Sequence, residues 1–240
     1  MQNFFFTFLI FCSVGLANDH ILFFKNNDVY NLRQRVNQPQ YSNLWNDVLT
    51  DANDYCDTNS SRYADPDYFV ITNFDGNSTL GHYLARNLSL WMENIGFANI
   101  ITNESCFSNH GVELLMSAIR NLPVTGEVMN VTYAGGKGDM MRAMAIGLDF
   151  FSDDLTASER NEAANVARDY ILDFIDEFDD SSTWWNKYHN YLGVCGGGSG
   201  MLALALSNDF PNNVSTWTDK SIESILRLLN NGYDTNGAGF

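Results

Sequence analysis

The sequence predicts an all-α protein, because apolar residues recur at steps of three and four along much of the chain and strict apolar/polar alternation is nearly absent. Residues 68–71 are the one strand-like stretch. The 240 residues are 45% hydrophobic, which is too apolar for a disordered chain and enough for a buried core. Since no linker or fixed-period repeat divides the sequence, we expect residues 18–240 to form one helical domain.

Residues 1–17 have the features of a secretory signal peptide. The apolar run at residues 4–11 is too short to span a membrane, which takes about 20 apolar residues. Small residues at Gly15 and Ala17 suit cleavage before Asn18. We therefore expect a secreted, extracellular protein, with an uncleaved anchor as the alternative.

Three helices are expected in the first part of the domain. Residues 79–95 carry an apolar stripe, and Gly96 follows where a left-handed C-cap belongs. A second stripe covers residues 112–119 and is stopped by Pro123. The third covers residues 140–151.

Three more helices are expected in the second part. Residues 166–178 have the clearest apolar face, and Thr156 with Glu159 forms a capping-box pattern at the start of this helix. Residues 200–206 and 222–229 supply the last two helices. Serial helices joined by polar turns are typical of hairpins stacked in an arc, although an irregular bundle has the same periodicity.

Charge excludes some partners. The chain has 13 Lys+Arg against 29 Asp+Glu, a net charge of −16, which argues against binding to nucleic acid or to a membrane surface. Its four histidines are scattered and no Cys-x-x-Cys occurs, so we expect no metal site. The Gly-rich residues 196–200 lack the P-loop ending, and we expect no cofactor; the glycines would instead let a helix start approach another backbone closely.

The cysteines leave the disulfide pattern open. The mature chain would hold Cys56, Cys106 and Cys195, and each possible pairing leaves one thiol over. Cys56 and Cys106 lie in polar stretches where a bridge suits a secreted protein, whereas Cys195 has the surroundings of a small buried hydrophobic residue. Six Asn-x-Ser/Thr sequons are compatible with a glycoprotein.

An aromatic strip at residues 184–191 is the most informative stretch for function. It contains Trp184, Trp185, Asn186, Lys187, Tyr188, His189, Asn190 and Tyr191. Aromatic faces stack on sugar rings, while amide, imidazole and ammonium groups donate hydrogen bonds to hydroxyls and carboxylates. The strip therefore suits a glycan-binding cleft; an aromatic cluster that packs in the core is the alternative.

Several segments, in order, resemble the helical domain of the heparinase II/III-like polysaccharide lyases, which include oligoalginate lyases and dermatan-sulfate epimerase. The segments are residues 20–24 with the following helix and Trp45, residues 147–160, residues 190–206 and residues 233–237. Ile21 replaces the proline of the family's opening His-Pro-Arg-Leu-Leu-Phe. The resemblance implies an incomplete α/α toroid, normally followed by a β-sheet domain that this chain lacks.

The same resemblance implies β-elimination on a uronate-containing polysaccharide. The C5 proton is weakly acidic while the neighbouring carboxylate is charged, so a donor must stabilise the enolate-like dianion and a tyrosine then moves the proton. By position, Asn190 would neutralise the carboxylate with Tyr191 and His189 beside it. Trp184, Trp185, Lys187 and Tyr188 would bind the acidic polysaccharide.

The family's catalytic tyrosine lies in Glu-Gly-x-x-Tyr, beyond Phe240, so we expect this chain to be an incomplete and weakly active or inactive portion of a lyase. Lyase and epimerase begin with the same proton abstraction and are not distinguished. A non-catalytic glycan-binding domain and a glycoside hydrolase on a similar toroid remain alternatives, the latter needing two carboxylates in the cleft. The polysaccharide and the oligomeric state are not predicted.

Overall fold

The computed structural model describes residues 22–70, 78–122, 134–182 and 190–231, and within these ranges the chain is helical and has no strand. The α-helices are α1 (Asn26–Arg35), α2 (Pro39–Cys56), α3 (Ser78–Thr102), α4 (Ser105–Asn121), α5 (Ala134–Phe150), α6 (Ala157–Asp179), α7 (Tyr191–Ala205) and α8 (Val214–Asn231). A 3-10 helix, Pro66–Phe69, lies between α2 and α3. The all-α prediction is confirmed for the described residues.

Helix α5 packs between α3 and α7, and all three run in the same direction. Near their starts, His82 of α3 lies beside Asp139 of α5, and near their ends the ring of Phe150 in α5 packs on Gly96 of α3. Gly138, near the start of α5, contacts Val194 in the first turn of α7 and Gly198 in its middle. Three parallel helices therefore form the centre of the fold, with their N-terminal ends together.

The outer helices run the opposite way. Helix α4 crosses α5 with Leu115 against Gly147 and with Gly111 against Phe151, so the two helices are antiparallel. Helix α8 is antiparallel to α7, because Ser224 Oγ donates to the carbonyl of Leu192 and Ser221 packs near Gly200. The hairpin alternation expected from the sequence is present in this part of the fold.

The core lies between these inner and outer helices. Its fully buried side chains include Leu84, Leu88, Met92, Met140, Met144, Tyr170, Phe174, Phe178 and Leu202. Burial of an aliphatic or aromatic side chain of this size contributes about 1.5–3 kcal/mol. Among the helices that the structure describes, none combines the length and apolar character required to cross a membrane.

The capping box predicted for α6 is confirmed. The amide of Glu159 donates to Oγ1 of Thr156 over 3.2 Å, and the amide of Thr156 donates to Oε2 of Glu159 over 3.0 Å. This exchange satisfies two amides that the first helical turn leaves without partners.

Two local predictions are wrong. Helix α3 does not end at Gly96 but continues to Thr102, because Gly96 provides room for the Phe150 ring rather than a left-handed turn. Residues 68 and 69, predicted to begin a strand, belong to the 3-10 helix Pro66–Phe69. Asp65 is the N-cap of this helix, and its side chain accepts a hydrogen bond from the amide of Asp67. Pro66 fits this first turn, since its missing N–H needs no partner there.

Candidate functional site

Ionisable side chains gather where α3, α5 and α7 begin and α6 ends, a region that we call the polar end. Its described members are His82, Arg86, Lys137, Asp139, Asp173 and Glu177, and we include the pair Glu93–Arg142, which follows in the middle of α3 and α5. The aligned peptide dipoles place partial positive charge at the starts of the three inner helices. The helix dipoles favour an anionic ligand at this end, whereas its side chains include four carboxyl groups against Lys137, two arginines and His82.

His82 and Asp139 form a loose pair across α3 and α5. Nδ1 of His82 lies 3.7 Å from Oδ2 of Asp139, too far for a hydrogen bond, and this buried nitrogen has no hydrogen-bond partner. Burial raises the pKa of Asp139, and the charges of His82, Arg142 and Arg86 offset part of that rise. The imidazole is thus held near a carboxyl group with one ring nitrogen unsatisfied.

Glu93 and Arg142 form a second pair between the same two helices. Burial raises the pKa of Glu93, while the guanidinium of Arg142 and the hydroxyl of Ser89 partly counteract it. Asp139 adds to the rise in the pKa of Glu93, so the two carboxyl groups sense each other's charge. Two interacting carboxyl groups with raised pKa values are therefore present at the polar end.

Lys137 is the buried cation of the region, with only 2% of its surface exposed. Its ammonium group binds the carboxylate of Asp173 and lies 2.9 Å from Oε1 of Glu177, both on α6. Burial alone would lower the pKa of Lys137, but the carboxylates of Glu177 and Asp173 outweigh it and raise the pKa. The second oxygen of Glu177, Oε2, is buried without a hydrogen-bond partner.

Cys195 of α7 lies against this cluster and is completely buried, as predicted from its neighbours. Burial raises the pKa of its thiol to about 12, and Lys137 acts in the opposite direction. A thiol in this state is inert, since the thiolate is the reactive form. Cys195 therefore links the start of α7 to Lys137 by packing rather than by chemistry.

The predicted site residues are described only in part. Asn190 is exposed and directly precedes α7; its carbonyl accepts hydrogen bonds from the amides of Gly193 and Val194, and its side chain caps no amide. Tyr191, the first residue of α7, is half-buried. The predicted residues His189, Trp184, Trp185, Lys187 and Tyr188 lie outside the described residues.

Asn190 and Tyr191 belong to the polar end, because Asn190 precedes Val194 by one helical turn and Val194 packs on Gly138 near the start of α5. The sequence analysis missed the charged members of this end. The local signals were charged residues three or four apart on one helix face: Asp173 with Glu177, His82 with Arg86, and Asp139 with Arg142. Nothing local links His82 to Asp139, which lie 57 positions apart (139 − 82).

The sequence predicts that the glycines of residues 196–200 let a helix start approach another backbone. The close approach is present, but α7 begins at Tyr191 and these glycines lie in its middle. A Cβ atom at Gly198 would lie 2.3 Å from the carbonyl oxygen of Gly138, whereas one at Gly197 would meet nothing within 4 Å. Only some of the glycines are therefore required for packing. The contact brings Lys137 and Asp139 of α5 beside α7.

A groove of about 570 Å³ lies elsewhere, on the outer helix α4 beside the 3-10 helix. Its charged lining residues are Asp67, Glu113, Arg120 and Glu159, and Arg120 already pairs with Glu162 at 2.8 Å. This acidic lining does not suit a polyanion. Among the described residues, no group of three His, Cys, Asp or Glu side chains is arranged to hold a metal ion.

Known proteins were compared with this chain. No protein-family model and no curated protein matches it. The polar end is thus assigned from its own chemistry, and the heparinase-like resemblance remains an expectation from the sequence.

Proposed function

We propose that the polar end is the glycan-binding region of a secreted polysaccharide lyase-type protein acting on uronate-containing glycans. The observation that carries the proposal is the gathering of three parallel helix starts, an exposed Asn190 and the cations of Arg86, Arg142 and His82 at one end. The helix starts and these cations supply local positive charge for an acidic sugar, against four carboxyl groups at the same end and a net charge of −16.

In this proposal the chain is part of an incomplete α/α toroid, and its hairpin alternation supports that arrangement. The Asn190 amide would donate hydrogen bonds to the uronate carboxylate and stabilise the charge that develops when the C5 proton leaves. Tyr191 and His189 would move that proton. The aromatic residues at 184, 185 and 188 would stack on neighbouring sugar rings, and Lys187 would contact their carboxylates.

The amide of Asn190 provides the first test. We expect the chain to bind alginate, heparan sulfate or hyaluronan in a calorimetric titration. Asn190→Ala should weaken that binding about tenfold, because the lost hydrogen bond to the carboxylate contributes about 1.4 kcal/mol. Asn213→Ala is the matched control, because Asn213 is also exposed and directly precedes a helix, α8, that starts at the opposite end.

Equal binding by the wild type and Asn190→Ala would refute the assigned role of the amide. Loss of binding in both asparagine variants would show that the effect is not specific to the polar end. Ultraviolet absorbance from unsaturated uronate tests the reaction itself. A rise in this absorbance with uronate-containing polysaccharides would support β-elimination by the chain.

A glycoside hydrolase is the second candidate, favoured by the interacting carboxyl groups of Glu93 and Asp139. Hydrolases use one protonated and one ionised carboxyl group, and burial raises the pKa of both groups here. The products separate the two reactions, because a hydrolase releases saturated reducing sugars and a lyase releases unsaturated ones. Release of saturated sugars that is abolished in Asp139→Asn would favour the hydrolase.

A further inference from the structure

Two cysteines come together where α2 ends and α4 begins. Cys56 is the last residue of α2 and Cys106 is the second residue of α4. Both are free thiols in this structure. Helices α2 and α4 pack on each other, and the loop after α2 reaches α4 through a Tyr63–His110 ring stack. The charge of Cys106 also contributes to the raised pKa of Cys56.

The surrounding contacts hold these two helix ends together. His110 lies one turn after Cys106 on α4, and its imidazole packs near the backbone of Tyr55, the residue before Cys56. The ring of Tyr63 stacks on His110 with centroids 5.2 Å apart, and Tyr63 also senses the charge of Cys56. The approach of Cys56 to Cys106 is therefore built into the packing of α2 on α4.

The two thiols differ in accessibility. Cys106 is exposed, whereas Cys56 is partly buried. Burial, with a smaller contribution from Cys106, raises the pKa of the Cys56 thiol to about 12. An external reagent therefore reaches Cys106 first, and Cys56 reacts only with a partner that is already beside it.

We propose that Cys56 and Cys106 form an intramolecular disulfide site that joins α2 to α4, independently of the glycan-binding proposal. The oxidant is a low-molecular-weight disulfide. The Cys106 thiolate attacks one of its sulfurs and releases a first small thiol, and the Cys56 thiolate then attacks the Cys106 sulfur and releases a second. The protein loses two hydrogens, and the small disulfide is reduced to two thiols.

The bridge would stabilise the fold, since it closes a long loop between positions 56 and 106 and so restricts the unfolded chain. We expect the thermal midpoint of the oxidised protein to exceed that of the reduced protein by roughly 5–10 °C. The bridge joins α2 to α4, neither of which contributes a residue to the polar end.

Peptide mapping tests the pairing. The full chain is incubated with oxidised glutathione, unfolded, alkylated with iodoacetamide and digested. We expect one linked peptide pair containing Cys56 and Cys106, with a mass about 2 Da below that of the two reduced peptides, while Cys195 is recovered alkylated. A stable glutathione adduct on Cys106, or a bridge from either residue to Cys195 or Cys12, would overturn the proposal.

Single variants separate the bridge from other effects of oxidation. In Cys106→Ser, oxidised glutathione should neither link peptides nor change the thermal midpoint. Cys56→Ser should retain glutathione on Cys106, because the second attacking thiol is gone. If Cys106→Ser gained as much thermal stability on oxidation as the wild type, the stabilisation would not come from this pair.

Discussion

The two ends of the inner helices differ in how their polar groups are satisfied. At the ends of α5 and α7, Arg160 donates to the carbonyls of Leu148 and Ala205 and pairs with Asp209 at 2.6 Å. Arg33 donates to the carbonyl of Ile100 near the end of α3. Cations placed there complement the helix dipoles and cap carbonyls that the helices leave unpaired.

The polar end lacks that completeness. Nδ1 of His82 and Oε2 of Glu177 are buried without hydrogen-bond partners, and Asn190 caps no amide. Unsatisfied buried groups cost stability, and Oγ of Ser207, just after α7 at the opposite end, is one as well. The two ends therefore differ in the cations that cap helix carbonyls and not in unsatisfied atoms alone. The opposite end, which we call the capped end, fixes the helices in place.

Loss of Arg160 should cause the largest change in stability. Arg160→Leu would leave Asp209 and two helix carbonyls without their donor, and we expect the free energy of unfolding to fall by about 3 kcal/mol. Urea denaturation measures this change. Arg120→Ala is the control, because its exposed pair with Glu162 should contribute no more than about 1 kcal/mol. Equal losses in the two variants would contradict the structural role of the capped end.

An alanine substitution in the contact between α5 and α7 should lower stability at Gly198 but not at its neighbour Gly197. Gly198→Ala would force its Cβ against the carbonyl of Gly138, and we expect a loss of about 2 kcal/mol. Gly197→Ala meets no atom and should raise stability by up to about 1 kcal/mol through helix propensity. Thermal unfolding of the two variants checks the prediction, which fails if both respond alike.

Asp149, near the end of α5, should make stability depend on pH. Burial raises its pKa to about 7, although the amide of Leu22 and the charge of Arg160 act to lower it. Between the ordinary pKa of 3.8 and about 7 the folded protein keeps a proton that the unfolded chain releases, so this residue lowers stability as pH rises through that window.

Asp149→Asn should therefore gain stability relative to the wild type as pH increases from 4 to 7. Thermal midpoints measured across this range report the difference. Asp153→Asn, at an exposed position just after α5, is the control substitution. A constant difference for Asp149→Asn would show that its carboxyl group stays ionised in the folded protein.

His82 should give the smallest change in stability and the clearest change in binding. Because Nδ1 has no hydrogen-bond partner, we expect His82→Ala to change the free energy of unfolding by less than about 1 kcal/mol. Polyuronate binding, measured by titration, should nevertheless weaken. Unchanged binding together with a large loss of stability would make His82 a structural residue and remove it from the site.

The sequence was informative wherever a feature is local. Periodicity placed helical segments in the regions of α3 to α8, and the Thr156–Glu159 capping box follows from spacing alone. Helices α5 and α7 begin earlier than predicted, because their first turns are rich in glycine and carry a weak apolar stripe. Helix α2 received no prediction of its own.

The polar end could not be derived in the same way. His82, Asp139 and Lys137 become neighbours of other charged groups only because α3, α5 and α7 lie parallel, and periodicity does not report helix direction. Cys195 was predicted as a buried residue, but its proximity to Lys137 depends on the Gly138–Gly198 contact. Long-range packing thus determines which charges meet.

Because Cys195 is completely buried, the reaction of its thiol can measure transient opening of the core. A maleimide can label this sulfur only after α7 separates from α5 and α6. The labelling rate in the native protein would thus report how often the centre of the helical array opens. Comparing that rate with and without bound polysaccharide would reveal whether ligand contact at one edge is transmitted to the interior.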